Sequence, residues 1–194
     1  PNVLQYPIAL FGALRAGLTV VNVNPLYTPR ELRHQLNDSG AKAALIIANR
    51  GHVLNEVLAD TNIEHVITTK AGDLLPFPKG IIASLIVGRR QPVTPVENST
   101  HFKDALKEGQ QSVLSDAGVN PDDIAFLQYT GGTTGEAKGA MLTHRNIVVN
   151  VEQISAWLET EEGTEIIITA LPLYHIFALT SNCISFVSRG GLNV

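Results

Sequence analysis

The residues of this chain that best suit chemistry lie at positions 129 to 139, which read Tyr-Thr-Gly-Gly-Thr-Thr-Gly-Glu-Ala-Lys-Gly. Glycine lets backbone N–H groups approach a ligand closely, and threonine adds hydroxyl donors. A lysine at the end supplies the positive charge that phosphate oxygens attract. The segment therefore predicts a phosphate-binding loop.

Two better-known phosphate loops do not fit these residues. A Walker loop ends in Gly-Lys-Ser/Thr, whereas Lys138 follows Ala137 and precedes Gly139. Dinucleotide and kinase loops need the spacing G-x-G-x-x-G, which the glycines of this segment do not have. Neither class of loop is predicted here.

The segment resembles the phosphate loop of the adenylate-forming, or AMP-binding, enzymes, whose pattern is Ser/Thr-Gly-Ser/Thr-Thr-Gly-x-x-Lys-Gly. The likeness continues in residues 139–146, GAMLTHRN, and 171–177, LPLYHIF, and upstream in 12–17, GALRAG, and 24–32, NPLYTPREL. The resemblance is closest to the bacterial long-chain fatty acid CoA ligases. These enzymes also tolerate the alanine at position 137, where many relatives carry proline.

The resemblance implies an ATP-dependent acid-thiol ligase with coenzyme A as cosubstrate. A fatty acid carboxylate would attack the α-phosphorus of ATP to give acyl-AMP and pyrophosphate, and CoA would then take the acyl group. Such a reaction needs charge compensation on the triphosphate more than a protein nucleophile. We expect Lys138 to neutralise charge and Thr130 to contact Mg²⁺, and we assign the β and γ phosphates to Gly131, Gly132, Thr133, Thr134 and Gly135.

His175 is the second catalytic candidate. In the enzymes that this chain resembles, the histidine of this block lies beside the carboxylate and the phosphate that is attacked. A histidine satisfied in the core is the alternative, because nothing local fixes its protonation state. Tyr174 and Phe177 are candidates for the acyl pocket, although aromatic residues beside an apolar strand more often belong to the core.

Three function classes stay open at this point. The first is a piece of a long-chain fatty acid CoA ligase. The second is another adenylate-forming ligase: an aryl or medium-chain acyl-CoA ligase, a luciferase-like enzyme or a peptide-synthetase adenylation domain. The third is a nucleotide-binding module without catalysis.

The 194 residues are fewer than half the length of the enzymes that the chain resembles. We therefore expect an incomplete part of the N-terminal AMP-binding domain, inactive by itself and without the C-terminal domain. Within it we distinguish a β-α-β subregion, 1–120, from a phosphate-loop subregion, 121–194.

Composition agrees with an α/β protein that buries a core. Apolar residues make up 44% and charged residues 16% of the chain. A formal charge of −4 with dispersed cations argues against nucleic acid as a partner, and the lone Cys183 against a disulfide framework. We predict a cytoplasmic protein, with peripheral contact at the inner face of the membrane and a homodimer left open.

Local patterns alternate helix and strand through the first third. Residues 7–16 suit a helix with Ile8, Phe11 and Leu14 on its apolar face, and residues 20–23 a buried strand. Thr28 to Glu31 form a capping box before a second helix, which Gly40 ends. A strand at 43–48, a helix near 52–59 and a strand at 65–69 follow. This order predicts layered, largely parallel sheets covered by helices.

Residues 70–121 are interrupted by prolines and carry one apolar cluster, Ile81 to Val87, that ends in Arg89 and Arg90. We favour a helix packed on the sheet, with membrane-surface contact as the alternative. From residue 122 onward we predict a strand at 124–128, the phosphate loop, a strand at 140–142, and a helix capped by Thr143. A strand at 166–171 then leads into the loop 172–175, and the two loops are expected near one site.

Overall fold

A computed structural model describes residues 1–131 and 137–194, which form two compact units. The first unit comprises Pro1–Asn24 and Asp116–Val194, and the second comprises Pro25–Ser115. Residues 1–24 belong with the second half of the chain because strand β1 (Val20–Val21) pairs in parallel with β5 (Ile124–Thr130). The 1–120 subregion that we distinguished in the sequence therefore contributes its first residues to the unit of the phosphate loop.

The first unit contains a three-stranded sheet in the order β1-β5-β6, a two-stranded sheet and several helices. Besides β1 and β5, its elements are α1 (Gln5–Arg15), β6 (Lys138–Thr143), α6 (His144–Leu158), β7 (Ile166–Ile167), α7 (Ile176–Ala178), a π-helix (Leu179–Ile184), α8 (Ser185–Ser188) and β8 (Leu192–Asn193). Strands β5 and β6 are antiparallel, whereas β1 with β5 and β7 with β8 are parallel. The sheets of this unit are therefore parallel except at β6.

The core of the first unit lies between α1, β5, α6 and the helical segment that follows residue 175. Leu10, Phe126, Ile147, Val151 and Cys183 are all buried there in one cluster. Burial on this scale is the main stabilising contribution to such a unit. The predicted face of α1 needs one correction: Ile8 is exposed, and among the apolar residues of that helix Leu10 is the buried one.

The second unit is built around a parallel sheet in the order β2-β3-β4. Its elements are α2 (Pro29–Ser39), β2 (Ala43–Ile47), a 3-10 helix (Ala48–Arg50), α3 (Gly51–Asn55), a 3-10 helix (Leu58–Asp60), β3 (His65–Thr69), α4 (Lys79–Arg90), β4 (Thr100–His101) and α5 (Phe102–Gly109). The predicted α/β class with largely parallel sheets is thus confirmed.

Helix α2 begins and ends where the sequence predicts. The hydroxyl of Thr28 accepts a hydrogen bond from the backbone N–H of Glu31, whose carboxylate accepts one from the backbone N–H of Thr28. The bonds from Thr28 hold the pKa of Glu31 below its usual value. Gly40 ends the helix with φ +64°, a conformation that glycine adopts without strain. Leu32 and Leu36 bury the apolar face.

Several elements differ from their prediction, among them the buried strand predicted at 20–23, which is half-buried and limited to Val20–Val21. The predicted strand at 166–171 is shortened to Ile166–Ile167, and the helix predicted near 52–59 ends at Asn55 and resumes as a 3-10 turn. Helix α5 was not predicted, because apart from Phe102 it carries few apolar residues among its charged ones. Helix α4 exists and its basic end is exposed, but it buries none of its residues, so the prediction that it packs on the sheet is wrong.

Candidate functional site

The phosphate-loop sequence begins and ends on one antiparallel ladder. Thr130 at the end of β5 faces Lys138 at the start of β6, and both residues are exposed. Opposite residues of an antiparallel ladder lie about 5 Å apart. A hydroxyl and a cation are therefore presented together at one sheet end. The predicted contacts Gly132, Thr133, Thr134 and Gly135 lie outside the described residues, and Gly131 is exposed.

The next step along the ladder explains a glycine of the motif. Tyr129 is buried and pairs with Gly139. A Cβ at position 139 would lie 3.0 Å from Cε2 of the Tyr129 ring, tighter than ordinary van der Waals contact. Because position 139 is glycine, the Tyr129 ring can lie against β6 at the residue that follows Lys138.

A side chain of β5 connects this ladder to the loop 172–175. Gln128 is 92% buried, and its Nε2 donates a hydrogen bond to the backbone oxygen of Tyr174 at 3.4 Å. Within the described part of the chain, Oε1 of Gln128 is buried without a hydrogen-bond partner. The loop with Tyr174 and His175 is thus held beside the strand that leads into the phosphate loop.

Two residues near the N-terminus fix the same loop from another direction. The side chain of Asn2 donates to the backbone oxygens of Thr169 and Leu171 at 2.9 Å and accepts from the backbone N–H of Leu173. The hydroxyl of Tyr6 lies 2.9 Å from the backbone oxygen of Leu173 and 2.8 Å from Oδ1 of Asn22. Burial raises the pKa of Tyr6, so this hydroxyl stays protonated and able to donate.

His175 and Phe177, two of the candidate residues in and after this loop, lie at the surface and not in the core. His175 is exposed, and its ring centroid lies 5.0 Å from that of Tyr174. The alternative of a core histidine is therefore wrong for this chain. Phe177 is exposed as well, so the alternative of a core aromatic is wrong for that residue too. Tyr174 is half-buried.

The helix after the ladder begins as predicted. The hydroxyl of Thr143 accepts from the backbone N–H of Asn146, and the Asn146 side chain accepts from the backbone N–H of Thr143. Arg145 in the first turn pairs with Asp122 through two hydrogen bonds of 2.8 and 3.1 Å. The guanidinium holds the pKa of Asp122 below its usual value. This exposed pair ties α6 to the start of β5.

Sequence reasoning missed Gln128, Asn2 and Tyr6, although each one positions the loop 172–175. Amides and a tyrosine at the ends of strands and helices are too common to stand out. The one signal in the sequence was the position of Gln128, two residues before the loop motif on a strand with apolar neighbours.

The described residues offer few side-chain atoms that could bind a metal ion. Among residues 1–131 and 137–194, no three or more His, Cys, Asp or Glu side chains come together as a metal site. Mg²⁺ usually keeps several waters and is held by one or two protein oxygens together with substrate phosphates. The exposed hydroxyl of Thr130 opposite Lys138 fits that donor set.

Comparison with known proteins gives consistent results over the whole chain. The sequence model described as "AMP-binding enzyme" matches residues 1–194. The long-chain-fatty-acid–CoA ligase of Salmonella typhimurium is 52% identical over 100% of this chain and 36% of its own length, and that of Bacillus subtilis is 35% identical over 93% and 33%. The crystal structure of a long-chain-fatty-acid-CoA ligase from Archaeoglobus fulgidus superposes with a TM-score of 0.75 and 28% identity, covering 100% of this chain and 33% of that one. The chain thus spans about a third of the length of these relatives.

Proposed function

Because this chain belongs to the AMP-binding enzyme family, we propose that the protein containing it is a long-chain fatty acid CoA ligase. Its first reaction joins a fatty acid carboxylate oxygen to the α-phosphorus of ATP while the bond to pyrophosphate breaks. Its second reaction forms the thioester between the acyl carbon and the CoA sulfur and releases AMP. The relatives at 52% and 35% identity are named long-chain-fatty-acid–CoA ligases, which supports this substrate class.

The observation that carries the proposal is the ladder that places Thr130 opposite Lys138 at an exposed sheet end. A triphosphate bound there would meet an exposed cation beside an exposed hydroxyl. Lys138 would neutralise charge on the phosphates, and the loop residues Gly131, Gly132, Thr133, Thr134 and Gly135 would supply donors. A charge-assisted hydrogen bond of this kind contributes about 1.5–3 kcal/mol.

His175 and its neighbours are proposed for the acyl side of the reaction. The exposed imidazole lies on a loop that Gln128 and Asn2 hold at backbone atoms. Such support lets a side chain keep its place without being buried, which a group orienting a carboxylate requires. We assign Tyr174 and Phe177 to the surface that the acyl chain contacts.

Mg²⁺ is the cofactor that the family implies, and Thr130 would be its protein contact in this chain. The ion would offset negative charge on the triphosphate. A homodimer and contact with the inner face of a membrane stay predictions. Among the described residues, no helix has the length and apolar character needed to cross a bilayer.

The test compares Lys138→Ala with Lys103→Ala, an exposed lysine of α5 in the other unit. In the full-length protein, we expect Lys138→Ala to lower the rate of pyrophosphate release with ATP and a long-chain fatty acid by about tenfold to a hundredfold. The control should stay within about twofold of the parent. Calorimetric titration with Mg-ATP then tells whether binding is weakened as well.

Other outcomes separate the alternatives. Equal rates for Lys138→Ala and the control would contradict the role of Lys138. A preference for an aromatic, medium-chain or amino acid in the same assay would identify a different adenylate-forming enzyme. Binding of Mg-ATP without pyrophosphate release from any acid would indicate a nucleotide-binding module. His175→Ala should lower the rate more than it weakens Mg-ATP binding, and the reverse result would contradict its proposed role.

A further inference from the structure

The loop that carries His175 has no regular secondary structure to hold it. Residues 171–175 lie between β7, which ends at Ile167, and α7, which begins at Ile176. Their backbone N–H and C=O groups therefore have no strand ladder or helix to bond. Such a loop keeps one position only if other groups of the protein bond to its backbone.

The carboxamide of Asn2 supplies those bonds in place of a neighbouring strand. Its Nδ2 donates to the backbone oxygens of Thr169 and Leu171, both at 2.9 Å, and its Oδ1 accepts from the backbone N–H of Leu173 at 2.9 Å. A primary amide offers the same donor and acceptor groups as a peptide bond. One side chain thus makes both kinds of bond that a strand edge would make along this segment.

These bonds act two residues before the candidate histidine. The side chain of Leu173 is buried in the core, its N–H bonds to Asn2, and its carbonyl oxygen lies 2.9 Å from the hydroxyl of Tyr6. The N–H of His175 in turn donates to the carbonyl oxygen of Pro172 at 3.0 Å. The backbone position of His175 therefore follows from the position of Leu173.

The imidazole of His175 leaves this task to other residues. It is exposed, and its ring centroid lies 5.0 Å from that of Tyr174. A side chain that has to meet a substrate must stay accessible, so the bonds that hold its loop must come from elsewhere. Asn2 fits this requirement, because all three of its bonds go to backbone atoms and none to the imidazole.

We propose that Asn2 is a positioning residue for the first reaction, through its hold on the loop that carries His175. This inference rests on the function proposed above. In that reaction a carboxylate oxygen bonds to the α-phosphorus of ATP, and the bond from that phosphorus to pyrophosphate breaks, so that pyrophosphate leaves with the electron pair. Holding the group that orients the carboxylate in place before substrates bind lowers the barrier to this attack.

The second reaction does not depend on Asn2 in the same way. It begins from acyl-AMP, in which the carboxylate oxygen is already bonded to phosphorus, so a free carboxylate no longer has to be oriented. Binding of Mg-ATP depends on the phosphate loop and not on residues 171–175. The inference therefore predicts a selective loss, large for formation of acyl-AMP and small for the other two steps.

The test compares Asn2→Ala with Asn150→Ala, which changes an exposed asparagine of α6 in the same unit. In the full-length protein, we expect Asn2→Ala to slow pyrophosphate release with a long-chain fatty acid by about tenfold, since it removes hydrogen bonds worth about 1 kcal/mol each. Mg-ATP affinity and the transfer of the acyl group from added acyl-AMP to CoA should stay within about twofold of the parent. The control should stay within about twofold in all three measurements.

An isosteric variant separates hydrogen bonding from shape. Asn2→Asp keeps the size of the side chain and the acceptor for Leu173, but it loses both donors and turns a carboxylate toward the carbonyl oxygens of Thr169 and Leu171. We expect pyrophosphate release to be at least as slow as in Asn2→Ala. A parental rate in Asn2→Asp would overturn the inference, because shape alone would then be sufficient.

A double-mutant cycle tests whether Asn2 acts through His175. In the His175→Ala background, we expect Asn2→Ala to lower the rate by less than about twofold, because the group that it positions is already gone. Equal losses in both backgrounds would indicate a general structural role and would overturn the inference. Hydrogen–deuterium exchange gives a readout without catalysis, since the N–H of Leu173 should exchange about fivefold faster in Asn2→Ala.

The same assays distinguish this inference from the proposed function. A parent that releases pyrophosphate at a rate that Asn2→Ala and Asn150→Ala both retain would overturn the inference and leave the proposed function standing. A parent that prefers another class of acid but is slowed by Asn2→Ala would contradict the proposed substrate and support the role of Asn2. No pyrophosphate release from the parent with any acid would overturn both.

Discussion

Helices α4 and α6 both carry runs of large apolar residues, yet only α6 buries some of them. Helix α6 places Ile147 and Val151 in the core of the first unit. Helix α4 approaches its unit through Gly80 and leaves Ile81 and Leu85 exposed. The comparison teaches that apolar content alone does not tell which face of a helix is buried. In α4, the backbone approaches the rest of the unit closely, which only small residues permit. This close approach determines which face of α4 is exposed.

The largest effect is expected from shortening the same residue type in the two helices. Ile147→Ala should lower the free energy of unfolding by about 3 kcal/mol, because it removes buried methyl groups and leaves a cavity. Ile81→Ala should change it by less than about 0.5 kcal/mol, because the side chain is exposed. Chemical denaturation of both variants measures the difference. Equal losses would mean that Ile81 is covered by another part of the protein.

The glycine contact of α4 predicts the next largest effect. A Cβ on Gly72 would overlap the backbone oxygen of Gly80, so Gly72→Ala should destabilise the second unit by about 2 kcal/mol. Gly88→Ala is the matched control, because an added Cβ there meets no atom within 4 Å. That control should be neutral or slightly stabilising, since alanine favours helix. Denaturation midpoints that fall equally for both would contradict the close approach at Gly72.

Titration of Cys183 tests whether water is excluded from the buried side of α6. Cys183 shares its cluster with Ile147 and Val151, and burial raises the pKa of its thiol to about 11. A thiol in the unfolded chain ionises near pH 9. The folded state therefore keeps a proton that the unfolded state loses, and stability falls as pH rises through this window.

Between pH 8 and pH 10, we expect the free energy of unfolding to fall by about 1 kcal/mol through this group. Cys183→Ala should remove most of that slope even though it lowers stability at both pH values. Tyr6, whose pKa is also raised by burial, contributes to the remaining slope. If the free energy of unfolding of Cys183→Ala fell with pH as steeply as that of the parent, water would have access to the side of α6 that faces Cys183.

The smallest effect concerns the polar link within the first unit. Gln128→Leu removes the donor to the Tyr174 backbone oxygen. The rate of pyrophosphate release should fall about fivefold while Mg-ATP affinity changes less, since loss of one neutral hydrogen bond costs about 1 kcal/mol. Gln153→Leu, on the exposed side of α6, is the control. A loss of ATP affinity that equals the loss of rate would indicate that Gln128 supports the whole ladder and not the loop.

Features with local causes were predicted from the sequence. The cap at Thr28, the end of α2 at Gly40 and the strand His65–Thr69 depend on neighbours within a few residues. The start of α6 at His144 has the same kind of cause, because Thr143 and Asn146 cap it. Spacing within one element was enough for each of these predictions.

Features with distant causes were not predicted. The support of the loop that carries His175 comes from Asn2 and Gln128, which lie 173 and 47 residues away from His175 in the sequence. The outward turn of Ile81 and Leu85 depends on Gly72, which no helical pattern includes. Such contacts become visible only once the chain is folded.

The ladder between β5 and β6 has a consequence for the energy of ligand binding. Seven residues, 131–137, connect Thr130 to Lys138, and the pairing of these two residues closes that loop during folding. Bringing the two loop ends together costs entropy, and this cost falls on folding rather than on ligand binding. Binding of a phosphate group therefore does not include that loss of entropy, so more of its interaction energy remains as affinity.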